Sequence, residues 1–213
     1  MNSTGPTITA VGLAATLLSE ALKQPIGVWI FKPLASLGFL YTGYHSPAYT
    51  SGSQFGKTMF ASLALGFLGD VCLIHKSPAA FQAGLFSFLL GHLGFAYAFA
   101  ERGMELKPAL TAAAAVGLVG SVVWKWLSPN LPKADRIPVA LYTTVISAMV
   151  VAASGSAWNT PTPYLQIAGA IIFQLSDLCV ARQQFVHKTF LNPLVGLPLY
   201  YLSQQMIASL MYY

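Results

Sequence analysis

Eight apolar runs, at roughly 7–22, 27–44, 56–74, 79–100, 108–127, 137–154, 162–181 and 192–213, take up almost the whole chain. Each is near the ~20 residues a helix needs to cross a bilayer. Backbone placed in hydrocarbon must satisfy its own hydrogen bonds, which a helix does within itself. The connections are short and polar or proline-bearing, as in Lys23-Gln24-Pro25, His45-Ser46-Pro47, His75-Lys76-Ser77-Pro78 and Ser128-Pro129-Asn130. None could build a soluble domain. The sequence therefore reads as all-α: a polytopic membrane helix bundle of about eight transmembrane helices, with 1–213 as a single integral membrane domain. Only 8% of its residues are charged, against about a quarter in soluble domains.

The net charge of +5 reflects a shortage of acids rather than a basic cluster. It points to topology and membrane lipids as partners, and no nucleic acid is expected. The N-terminal Met-Asn-Ser-Thr-Gly-Pro-Thr lacks the basic region of a cleaved signal, so the first run reads as retained. Lys23, Lys76, Lys125, Lys133, Arg136, Arg182 and Lys188 lie on one side, and Lys57, Arg102 and Lys107 on the other. The positive-inside rule puts the larger group in the cytoplasm and both termini outside it, in the inner membrane if the source is bacterial. Cys72 and Cys179 lie within apolar runs and read as buried thiols.

Against this background two carboxylates stand out. The third run contains Leu68-Gly69-Asp70-Val71-Cys72 and the seventh answers with Leu175-Ser176-Asp177-Leu178-Cys179. An Asp at the centre of a membrane helix costs roughly 2.5–3.5 kcal/mol on insertion scales. A lone one is explained by pairing with a lysine, and Lys32 enters from the same side to a similar depth. A repeated one suggests function. Because the echo spans an even number of helices, both copies run the same way, which suggests two parallel four-helix repeats.

Polar residues gather on helix faces around these acids. Thr58, Ser62, Gly66 and Asp70 recur every four residues, as do Asn192, Gly196, Tyr200, Gln204 and Ala208. Gln166, Ala170, Gln174 and Asp177 share a comparable face, and Lys32 and Ser36, His92, and Tyr142, Thr143 and Ser147 add further groups. Such convergence reads as an interior cavity. Plainer readings exist for each: a core histidine for His92, packing for Tyr200 and Tyr201, interhelical hydrogen bonds for Gln174 and Gln204. The histidines at 45, 75, 92 and 187 form no metal-binding word, so neither a metal nor a cofactor is expected.

Taken in order, Lys32-Pro33-Leu34, Gly69-Asp70-Val71-Cys72-Leu73-Ile74, Phe81-x-x-Gly84-Leu85 with His92, Tyr97 and Phe99, Tyr142, Gly169-Ala170-x-x-Phe173-x-x-Ser176-Asp177, and Tyr200-Tyr201-x-x-Gln204 with Ile207-Ala208-Ser209 resemble the YhhN-type lysoplasmalogenases, eight-helix membrane hydrolases. The resemblance runs from about residue 28 to 210. It departs at Phe31-Lys32-Pro33-Leu34, where the family pattern carries an extra residue between Lys and Leu-Pro.

The resemblance implies hydrolysis of the vinyl ether of a lysophospholipid substrate by water, releasing a fatty aldehyde and a glycerophospho-headgroup. Protonating the double bond gives an oxocarbenium ion, water adds, and the hemiacetal collapses. The task parallels glycoside hydrolysis, for which two carboxyl groups are the usual solution. One must hold a proton at neutral pH and the other be ionised; placed close together they titrate as a pair. Asp70 and Asp177 are the candidates, with the acid and base roles open between them. Lys32 would hold the ionised partner or contact the lipid phosphate. Ser36, His92, Tyr142, Tyr200, Tyr201 and Gln204 would bind or orient substrate or water. A gap between helices lined by Phe and Leu would admit the chain from lipid. The choice between choline and ethanolamine headgroups and the oligomeric state stay open. A small proton-coupled transporter or channel using the same carboxylates is the rival reading, and a lipid-binding scaffold a third.

Overall fold

A computed structural model describes residues 3–213. Its elements are α1 (Thr4–Ala21), α2 (Pro25–Tyr44), the single turn α3 (Pro47–Thr50), α4 (Gln54–Ile74), α5 (Pro78–Ala100), α6 (Leu106–Leu127), α7 (Arg136–Ser156), α8 (Pro163–Ala181) and α9 (Leu191–Ser209). No strand occurs among the described residues. Local chemistry sets the helix starts. Ser53 and Ser77 accept the amides of Gly56 and Ala80, and Pro25, Pro78 and Pro163 open first turns whose amides need no partner. Lys23 turns α1 into α2 with φ of 55°, in the left-handed position that glycine usually fills.

Six segments are long and apolar enough to cross a membrane: Pro25–Tyr44, Gln54–Ile74, Pro78–Ala100, Leu106–Asn130, Lys133–Asn159 and Pro163–Val186. They make the chain a multi-pass integral membrane protein. The sequence gives eight runs; α1 and α9, the first and the last, are not among these six. Both carry polar residues that turn inward, with Thr9, Thr16 and Ser19 buried on α1 and Asn192, Ser203, Gln204 and Ser209 on α9. Large apolar side chains such as Leu106, Leu118, Val122 and Ile137 point outward, as contact with lipid tails requires.

The helices close on themselves. Packing runs from α2 to α4, α5, α7, α8 and α9 and back to α2, while α1 adds to α2 and α9 and α6 adds to α7. Phe39, Met59, Leu63, Phe95, Phe99, Met149, Phe173 and Ile207 fill the interior. Where α6 ends, Trp124, Leu127, Leu131 and Val139 meet Ala181 at the end of α8 and Phe185 and Val186 just after it in a second apolar cluster. The chain passes α8 through a π turn at Arg182–Val186. Arg182 and Gln183 both bond Asn192 there, tying the end of α8 to the start of α9.

Candidate functional site

Asp70 lies four residues before the end of α4, 2% exposed. Its Oδ1 is 3.4 Å from the Lys32 ammonium, which also donates to the Asp70 carbonyl at 3.1 Å. Ser36 and Tyr200 each donate a hydroxyl to Oδ2 at 2.7 Å. Gln204 donates to the Tyr200 oxygen at 3.0 Å and so fixes where that hydroxyl points. Gly66 makes this possible: a Cβ there would sit 2.5 Å from Gln204 Nε2. The surroundings of Asp70 are those of an anion, with one cation and two hydroxyl donors around it. Tyr201 is different. Its hydroxyl donates to the Lys32 carbonyl at 3.0 Å and lies 3.2 Å from Ser36, bracing α2 without reaching the carboxylate.

Asp177 sits four residues before the end of α8 and has a second set of partners. Tyr142 donates to its Oδ2 at 2.6 Å, and His92 Nε2 lies 2.9 Å from the Tyr142 oxygen and 3.4 Å from Oδ2. Tyr142 gives its one hydroxyl proton to Asp177, so its oxygen is left to accept from His92 Nε2. Nδ1 is buried and has no partner among the described residues. Nor does any described group bond Asp177 Oδ1, and this side chain is 17% exposed where that of Asp70 is 3%.

No hydrogen bond or ion pair joins the two carboxylates among the described residues. Aromatic rings separate the clusters instead. The Phe173 ring meets those of His92 at 4.6 Å and Tyr200 at 5.4 Å, and Phe88 stands on Tyr200 at 5.8 Å. Phe88 packs on Gly69, where a Cβ would collide with its ring at 2.5 Å. Reached from the sequence were Asp70, Ser36, Lys32, Tyr200 and Gln204 in one cluster and Asp177, Tyr142 and His92 in the other. Phe88 and Phe173 were not singled out as site residues, because a phenylalanine within an apolar run carries no contrast. The thiols of Cys72 and Cys179 are free and only partly buried.

Both clusters open on one cavity of about 1,790 Å³, lined by Lys32, Asp70, Tyr142, Asp177 and Tyr200 among others. Leu73, Phe81, Leu85 and Phe88 also line it, an apolar wall that suits a fatty chain. Along α6 the lining is smaller, with Ala112, Ala115, Val119, Gly120 and Val123 facing Ile167, Ile171 and Leu175 of α8 across α7. Tyr142 and Ser154, both on that wall, are twelve residues apart on α7, about 18 Å along the axis. No group of three or more His, Cys, Asp or Glu able to hold a metal occurs among the described residues.

Fold and site together define a multi-pass helical membrane protein with one buried and one partly buried carboxylate on one amphipathic cavity. Residues 27–211 match the YhhN family, and the chain belongs to it. It is similar to the lysoplasmalogenase TMEM86A of Bos taurus, at 29% identity over 187 residues covering 85% of this chain and 72% of that protein. The human lysoplasmalogenase TMEM86B is 32% identical over 178 residues, 82% of this chain and 69% of its own length. A lysoplasmalogenase of Mycobacterium bovis is 33% identical over 137 residues, covering 61% and 51% respectively. No solved structure matches the chain.

Proposed function

We propose that this protein hydrolyses the vinyl ether bond of lysoplasmalogens within the membrane, with Asp177 as acid and base and Asp70 as a fixed anion. The carrying observation is that both carboxylates line one cavity whose walls elsewhere suit an aliphatic chain. The lysoplasmalogenase names of the relatives support the substrate class and weigh against a transporter.

The roles divide by environment. Asp177 Oδ1 is the carboxyl oxygen left without a partner, which frees it to deliver the proton that the double bond takes at its outer carbon. The oxocarbenium ion that results forms beside two negative groups. Asp177, now ionised and held by Tyr142, draws a proton from water as water adds to the cation. It gives that proton to the ether oxygen as the hemiacetal breaks and takes up the hemiacetal hydroxyl proton, leaving aldehyde, glycerol hydroxyl and Asp177 protonated as at the start. His92 holds Tyr142 in place, and Tyr200, set by Gln204, holds Asp70. Lys32 is committed to Asp70 in this scheme, and the lipid phosphate is bound elsewhere.

The remaining helices and the repeat belong to this reading too. We take α1 and α9 to span the bilayer with the other six long helices, both termini outside the cytoplasm. The packing order supports two parallel repeats: α1 lies on α2, α2 on α4 and α4 on α5, as α6 lies on α7, α7 on α8 and α8 on α9. Asp70 and Asp177 then hold equivalent places.

The test is mass spectrometry of purified protein given matched 1-alkenyl and 1-acyl lysophospholipids. Aldehyde release from the alkenyl lipid is the expected result. Cleavage of the acyl ester alone would overturn the assignment.

A further inference from the structure

The cavity runs the length of the bundle, with Glu105 and Lys107 lining its far end, and its rim at the end nearer the two carboxylates is charged. Lys23 between α1 and α2, Lys76 between α4 and α5, and Lys188 between α8 and α9 all line it. These three lysines come from connections far apart in the chain. Among the described residues none of them is ion-paired. Sidedness of positive charge accounts for lysines at this level of the membrane. It does not account for three of them ringing the mouth of the cavity that holds the two carboxylates.

Glu20 stands among them. It lines the main cavity and also a side pocket of about 200 Å³ that it shares with Gln183, Lys188 and Thr189. The mouth thus offers several cations with a carboxylate to one side. That is the complement of a phosphodiester followed by an ammonium.

Depth supplies a second measure. Asp70 and Asp177 each lie four residues inside the ends of their helices, about 6 Å along the axis from the rim. In a lysoplasmalogen about five single bonds separate phosphorus from the ether oxygen, roughly 6 Å when extended. A phosphate held at the rim therefore sets the vinyl ether at the level of the carboxylates.

We infer that Lys23, Lys76, Lys188 and Glu20 form a cradle for a zwitterionic phospholipid headgroup, the lysines taking the phosphate and Glu20 the ammonium. The cradle rests on the hydrolase reading for its substrate, but it is tested by binding. Calorimetry in a neutral detergent compares three saturated ethers that cannot be cleaved: an alkyl-glycerophosphocholine, the same ether ending at phosphate, and the alkylglycerol without phosphate. The wild type is expected to bind both phosphate-bearing ethers about tenfold or more above the alkylglycerol, a preference that Lys23→Gln/Lys76→Gln/Lys188→Gln removes. Glu20→Gln is expected to erase the advantage of the choline ether over the phosphate ether.

All four substituted residues are at least partly exposed, so the fold should survive the changes. Two results would overturn the cradle: an undiminished preference in the triple variant, or equal loss of affinity for all three ethers. Lysine-dependent binding of inorganic phosphate as tight as that of the lipids would give the rim to a free anion instead. Lysine-dependent binding by a protein that releases no aldehyde from alkenyl lipids would keep the cradle and sink the hydrolase.

Discussion

Tyr142→Phe isolates the proton machinery most cleanly. The ring stays and one oxygen goes, removing the 2.6 Å bond to Asp177 and the 2.9 Å bond to His92 together. A hydrogen bond to a charged group contributes about 1.5–3 kcal/mol, and a buried donor left unpaired costs about 1–3 kcal/mol. The first quantity acts on catalysis, because the ionised Asp177 formed after proton transfer loses its donor. It corresponds to a fall in kcat of roughly 10- to 150-fold, at 1.4 kcal/mol per decade. The second acts on stability, since His92 is 1% exposed and its Nε2 would keep only the longer, 3.4 Å approach to Asp177 Oδ2. A loss of about 2–12 °C in Tm follows at about 2–4 °C per kcal/mol for a chain of this size.

The assay is aldehyde release under saturating alkenyl lysophospholipid, alongside thermal unfolding in the same detergent. Tyr201→Phe is the control. Its hydroxyl braces the Lys32 carbonyl and touches no carboxylate, so it should lower Tm with little change in kcat. Wild-type kcat in Tyr142→Phe, or equal losses in both variants, would refute the assignment of Asp177 as the proton carrier.

Other outcomes follow from the same geometry. Asp177→Asn should lower turnover by about 10²- to 10⁴-fold, the range for losing a general acid, with a small change in Tm. Asp70→Asn should also unfold more easily, by about 3–5 kcal/mol, because the buried Lys32 charge loses its partner; thermal unfolding separates the two variants. Gly66→Ala should cost about 1–3 kcal/mol and weaken turnover, since the added carbon displaces Gln204 and frees Tyr200, and a kcat that tracks the Tm loss would check it. In D₂O the released aldehyde should carry one deuterium next to its carbonyl, visible as a unit mass gain; its absence would exclude protonation at carbon.

Much of this was readable in the chain. Helix extents followed from run length, and Ser53, Ser77 and the prolines marked where several begin. The four-residue spacing put Gly66 and Asp70 on one face of α4, and Tyr200 and Gln204 on one face of α9, as the structure has them. Spacing is silent about partners across helices. Nothing within 35 residues of chain joins Tyr142 to Asp177, or within 50 joins His92 to Tyr142. Tyr201 looked equivalent to Tyr200, yet one residue turns a helix by about 100°, which carries its hydroxyl to backbone instead of carboxylate. The rim lysines were legible only as markers of sidedness, because a cavity mouth has no sequence pattern.

Asp70 on α4 is reached from α2 and from α9, while Asp177 on α8 is reached from α7 and from α5. Each acid thus leans on one neighbour from its own half of the chain and one from the other. Cutting the polypeptide in the Glu101–Glu105 connection would leave two pieces, neither able to assemble even one carboxylate with its full company. Both pieces made together in one membrane could rebuild the pair, which makes the active unit a marriage of halves and not a sum of them.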